Sequence, residues 1–321
     1  MDAREELVLR LAQRRSVALG LTSSGYAELL LAVREDPAAF MDEPGDEALQ
    51  LVQKALDRYD ASLRDDDLLD DDAYLQARQQ RMAHMRQDCA AALSADPQCT
   101  DARLLDAIAQ DLDADPYLEL LLDILRDSPA PSSPDGGAAD SWDDVLVRPR
   151  LRVRGAIVRA LFDSARYRQA DSWAQELLRD APSDFLGARH TSALALARLE
   201  DEGGFEALDA RLGRRGDSWS AIGRVILLYK RGRLGAARRA LLGYGRLCEG
   251  AAYALLRPVL KEAYMPDRPT TQPYSYEEAS LAIHEADPVI VDVPDLPAWA
   301  EGIPEVSGAA RAYARKMGFS W

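Results

Sequence analysis

Asparagine is missing from all 321 residues. Lysine is nearly missing: of 39 basic residues only Lys54, Lys230, Lys261 and Lys316 are lysine. No run of about 18 apolar residues occurs, which excludes a membrane-crossing helix. Cys89, Cys99 and Cys248 form no disulfide framework, so a reducing, cytoplasmic location is expected. The start, MDAREELVLRLAQRR, is acidic and amphipathic and does not read as a signal peptide. The histidines are His84, His190 and His284, and the spacing from His84 through Cys89 to Cys99 matches no zinc site. GRRGDS at Gly213 follows no strand pattern, so it is no phosphate loop. No G-x-S-x-G or Cys/His nucleophile arrangement is present. These absences predict no catalytic residue, no metal and no cofactor.

What is present is helical periodicity. Leu49, Val52, Leu56, Tyr59 and Leu63 step by three and four, as do Ala170, Trp173, Ala174, Leu177 and Leu178, so each set lines one helix face. Breaks fall at Asp36-Pro37, Asp96-Pro97, Asp115-Pro116, Ala181-Pro182 and Gly203-Gly204, because proline excludes helix from the preceding residue. The only β-like run is Pro288 to Val293. The class expected is all-α: a right-handed α-solenoid of antiparallel helix pairs.

Charge is segregated. Residues 1–147 carry net −19, residues 148–266 net +9 and residues 267–321 net −5. SPAPSSPDGGAADS, Ser128 to Ser141, sits where the sign changes and is too poor in apolar residues to offset ordering entropy. The chain thus divides into an acidic N-terminal helical region (1–72), first repeat-like helices (73–126), a flexible acidic loop (127–148), basic repeats (149–266) and a C-terminal helical cap (267–321). The overall negative sign makes nucleic acid an unlikely partner.

Three places read turn, bulky residue, two residues, then a small or apolar one: RYRQA (Tyr167, Ala170), GGFEAL (Phe205, Leu208) and GRLGAA (Leu234, Ala237). Tyr167 to Leu234 is 67 residues, close to two tetratricopeptide periods of about 34. The uneven spacing of the bulky residues implies an insertion at Glu202-Gly203-Gly204. ALSADPQCTDARLLDAIA (Ala92–Ala109), WDDVLVRPRLRVRGAIVRAL (Trp142–Leu161) and LLRDAPSDFLGARHTSALALARLE (Leu177–Glu200) resemble segments of the bacterial tetratricopeptide-like family similar to suppressor of tumorigenicity 7 protein. The family's asparagines in the last segment are replaced by Ser183 and Asp184. The resemblance implies a repeat scaffold and hands over no catalytic residue.

Two functional readings follow. In the first, the chain is a non-enzymatic scaffold that binds a peptide or protein segment in its concave face. The register implied by the repeat puts Arg152, Arg159, Phe162, Arg189, Trp219, Tyr229 and Lys230 there, a set suited to an acidic or amphipathic segment. The chain's own acidic loop or tail could fill the same groove. In the second reading, Asp66, Asp67 and Asp70 of RDDDLLDDD form the DDxxD pattern of a magnesium-dependent isoprenoid or diphosphate enzyme. Against it, no second matching acidic motif exists, and Asp70–Asp72 stand where they would cap the next helix.

Overall fold

The computed structural model describes residues 2–64, 66, 69–128, 140–211, 216–259 and 264–321. Of the segment expected to be a flexible loop, residues 129–139 lie outside that set, as does Asp67. Among the described residues the protein is all-α, with sixteen α-helices and no strand. It divides into two compact units, and the boundary falls inside one helix, after Ala156.

The first unit comprises Met1–Ala156 with Tyr264–Asp267. Its helices are α1 (Ala3–Leu19), α2 (Ser23–Glu35), α3 (Pro44–Ser62), α4 (Asp71–Ala95), α5 (Thr100–Ala109) and α6 (Ala114–Asp127), followed by the start of α7 (Arg148–Asp163). The stripe read from the sequence on α3 is the buried one: Leu49, Val52, Leu56 and Tyr59 lie in one apolar cluster with Leu7, Leu11, Met85 and Leu105. Five buried leucine-sized side chains there are worth about 10 kcal/mol of transfer free energy, which holds the unit's helices together. Proline ends helices where expected at Asp36-Pro37 and Asp96-Pro97, whereas Pro116 sits inside the first turn of α6, where its missing N–H costs nothing.

The second unit comprises Ile157–Ala263 and Arg268–Trp321. After the rest of α7 come α8 (Tyr167–Asp180), α9 (Ala188–Arg198), α10 (Glu202–Arg211), α11 (Ser218–Lys230), α12 (Leu234–Leu247), α13 (Ala251–Leu256), α14 (Tyr276–Ile290), α15 (Asp295–Glu301) and α16 (Pro304–Met317). Neighbours in sequence pack together: α8 on α9, α9 on α10 and α11, α11 on α12. The β-like run at Pro288–Val293 is a misreading. Pro288 lies in the last turn of α14, which continues to Ile290. Its flanking Val289, Ile290 and Val291 look strand-like in sequence, but the helix is already propagating when it reaches them.

One junction recurs in this unit. Ala165, Glu200 and Gly232 are left-handed, each two residues before the next helix starts. Each is followed by a backbone bond of the same type: Arg166 N–H to the Leu161 carbonyl at 2.8 Å, Asp201 to Leu196 at 3.0 Å, Arg233 to Leu228 at 3.0 Å. This is the helix C-terminal turn that satisfies the last carbonyls. The junctions are 35 and 32 residues apart. Their register corrects the sequence reading. Phe205 is the fourth residue of α10, as Ala170 and Ala237 are of α8 and α12, so no insertion is needed. All three are buried. A phenylalanine fits where its equivalents are alanine because Gly223 on α11 makes room: a Cβ there would lie 3.1 Å from the Phe205 ring.

Candidate functional site

Arg152 belongs to the first unit and is no surface residue. It is 3% exposed and bonds both Glu6 oxygens (2.5 and 2.8 Å), Asp101 (3.3 Å) and Asp267 (2.9 Å). Arg10 also pairs with Glu6 and with Asp101. Burial pushes the Glu6 carboxyl up, but Arg152 and Arg10 more than reverse this and hold it at about 2. Glu6 is thereby held in its charged form and is no proton donor near neutral pH.

The other six candidates lie in the second unit. Phe162 is buried, edge-on to Tyr167 at 5.3 Å. Arg159 and Trp219 both reach Glu285 of α14: Arg159 at 2.9 Å, and the Trp219 indole N–H donates at 2.6 Å. Arg268 donates to the same carboxylate at 2.7 and 3.0 Å. Lys230 donates to Asp292 at 2.8 Å, joined by Arg198 at 2.8 Å, and Tyr229 packs on Trp299 with ring centroids 5.0 Å apart. Arg189 pairs with Asp184 at 2.9 Å and Asp217 at 3.4 Å. Arg159, Trp219, Tyr229 and Lys230 are therefore each engaged by a carboxylate or ring from the chain's own residues 285–299.

The reason is α14. It packs on α9, α11 and α13, and nine of its fifteen residues are buried. Such a helix is core on nearly every side. Acidic residues also recur at seven-residue steps from α14 into the turn that follows it. Glu278 accepts from the Ser218 backbone N–H that opens α11 (2.8 Å), Glu285 takes Trp219 and two arginines, and Asp292 takes Lys230 and Arg198. Seven residues are two helical turns, so Glu278 and Glu285 share one face of α14. Sequence reading missed Arg198, Arg268, Glu285 and Asp292, although the acidic step of seven in residues 278–292 was a visible signal.

At one end of this face lies a cavity of about 460 Å³ lined by Arg189, His190, Asp217, Trp219, Arg268 and Tyr274. Its floor is a stack of the His190 and Trp219 rings, 3.8 Å between centroids. Burial, then the charges of Arg268 and Arg189, hold the His190 imidazole well below its usual pKa, so it is neutral. Arg268 reaches the Leu186 carbonyl at 2.8 Å past Gly187, where a Cβ would collide with the guanidinium at 1.5 Å.

The aspartates of the DDxxD pattern have structural partners. Asp66 holds buried Arg81 through two bonds of 2.7 and 2.8 Å, and Asp70 caps α4 by accepting from the Ala73 N–H at 2.9 Å. Among the described residues no group of three or more His, Cys, Asp or Glu is placed to hold a metal ion. Cys89 and Cys99 are buried thiols pushed up to about 12, first by burial and then by nearby acidic groups, which makes them poor nucleophiles. Among the described residues no helix is long and apolar enough to cross a membrane. Compared with family models, curated proteins and solved structures, the chain finds no match.

Proposed function

We propose that this protein is a non-enzymatic interaction scaffold, a right-handed α-solenoid of degenerate tetratricopeptide-like pairs that holds a segment of another protein. The observation that carries the reading is the recurring junction at Ala165, Glu200 and Gly232, with equivalent buried residues Ala170, Phe205 and Ala237. Repeats of this period stack into an extended inner face, and such faces serve as peptide grooves. The family resemblance points the same way, as fold-level analogy.

Here α14 already lies along that face, so a partner meets only what α14 leaves uncovered. Two places qualify: the cavity beside Arg189 and Trp219, and the surface around Tyr229 and Lys230. Amine cross-linking with mass spectrometry on the full chain and a co-purified protein tests the reading. Only four lysines exist, so a cross-link at Lys230 is unambiguous. We expect one there. A partner that cross-links only to Lys54, or no reciprocal co-purification at all, rejects the groove reading.

A further inference from the structure

Arg198 and Lys230 are the last residues of α9 and α11, and each stands two residues before a left-handed junction residue, Glu200 or Gly232. They are the same position in successive repeats. Cations at helix C-termini commonly do no more than face the dipole. Here they converge on one carboxylate, with Arg198 on Oδ1 and Lys230 on Oδ2 of Asp292, each at 2.8 Å. Asp292 belongs to the short stretch between α14 and α15, and its side chain is one-third exposed. Arg198 lies over the Tyr167 ring at 5.3 Å, and Tyr229 and Trp299 pack together beside Lys230. The Arg198 Nε is buried and has no hydrogen-bond partner among the described residues. Two cations and an unused donor, with the Tyr167 ring under Arg198, thus stand around a loop carboxylate, and Lys230 also meets the Arg198 carbonyl at 3.0 Å and Glu200 at 3.8 Å.

We propose that Arg198 and Lys230, flanked by Tyr167 and Tyr229, form a subsite for an acidic side chain of a partner protein segment, with Asp292 as its resident stand-in. The subsite deepens the scaffold reading above and rests on it. A planar guanidinium and an ammonium, fixed by adjacent repeats, read a carboxylate from two directions. Asp292 is tethered and competes at high effective concentration, so the subsite in the resting protein is largely closed. An incoming acid must displace a carboxylate that is one-third exposed, and it meets a Lys230 side chain that is 6% exposed and also donates to the Arg198 carbonyl at 3.0 Å. The neighbouring Glu285 differs: it is buried and bound to three residues, and a partner cannot replace it without removing α14.

The test uses the full chain and fluorescein-labelled hexaglutamate, followed by anisotropy at low salt, with hexaglutamine as the neutral control. Asp292→Ala should bind hexaglutamate about ten-fold more tightly than wild type, because the competent fraction of the subsite rises. The gain should vanish in Arg198→Ala/Asp292→Ala and in Lys230→Ala/Asp292→Ala, and hexaglutamine should not bind. Asp292→Asn, which keeps the side chain's size, should reproduce the gain and covers the case in which Asp292→Ala loses structure by circular dichroism. No gain in either folded variant overturns the proposal. So does a gain that survives removal of either cation. Such a result removes the subsite and leaves the cross-linking test of the scaffold standing on its own.

Discussion

Two ion clusters in this molecule use similar residues in opposite ways. In the first unit, Arg152 sits buried with Glu6 and Asp101, and the partly exposed Arg10 pairs with both carboxylates. In the second, Arg198 and Lys230 share a partly exposed Asp292. In sequence, Arg152 and Lys230 are the same kind of signal, a cation at a groove position. Burial of the partner carboxylates separates them. A buried charge cannot lose its partner without a large desolvation penalty, so Arg152 is structure. The Lys230 side chain is also buried, at 6% exposed, but Asp292 and Arg198 are each about one-third exposed, so that pair is the more exchangeable of the two.

The widest gap between the clusters should appear on Arg152→Met. Glu6, Asp101 and Asp267 then lose their main cation, and we expect a loss of about 3–5 kcal/mol in urea unfolding. A loss below about 1 kcal/mol would erase the distinction between the clusters.

Acid should act next, in two steps. His190 is neutral in the folded protein, with its pKa depressed below 6.5, whereas the unfolded chain takes up a proton there. Stability present above pH 6.5 is therefore lost as pH falls below it, and His190→Gln should flatten that limb. Glu6 is depressed from 4.5 to about 2, so its contribution holds above pH 4.5 and disappears as pH falls toward 2. Thermal melts across pH 2–8 check both steps. A flat profile from pH 7 to 5 in wild type would reject the His190 assignment.

Smaller effects follow at the surface. Asp70→Ala removes the α4 cap and should cost about 1 kcal/mol. The same variant with unchanged stability would mean the cap bond at Ala73 is not formed in solution. Smallest of all, Asp292→Ala should change stability by less than about 0.5 kcal/mol, because the carboxylate it removes is one-third exposed and Lys230 keeps the Arg198 carbonyl and Glu200 as partners. A loss comparable with that of Arg152→Met would make Asp292 structural and remove the contrast.

Much of the fold was readable because helices declare themselves locally. The α3 stripe, the α8 stripe and the proline-marked ends needed only neighbouring residues. The recurring junctions do not follow the bulky residues from which a repeat was expected. Bulky residues were matched to one another, and Phe205 stands out by size, yet its equivalents are Ala170 and Ala237. The recurrence lies in the backbone geometry at Ala165, Glu200 and Gly232. It is invisible in a sequence where alanine, glutamate and glycine all occupy one left-handed position, although glycine alone adopts it without strain.

The candidate site was legible only in part. Arg159, Trp219, Tyr229 and Lys230 were singled out from the expected repeat register, but their partners Glu285, Asp292 and Trp299 lie 62 to 126 residues away in the chain. Composition and periodicity determined that the chain is helical, where most helices begin and end, and which faces are apolar, since these follow from interactions within a turn or two. Which arginine is buried and which remains available was decided by tertiary structure alone. A charge's environment is set by residues brought together in space, and local sequence carries no record of them.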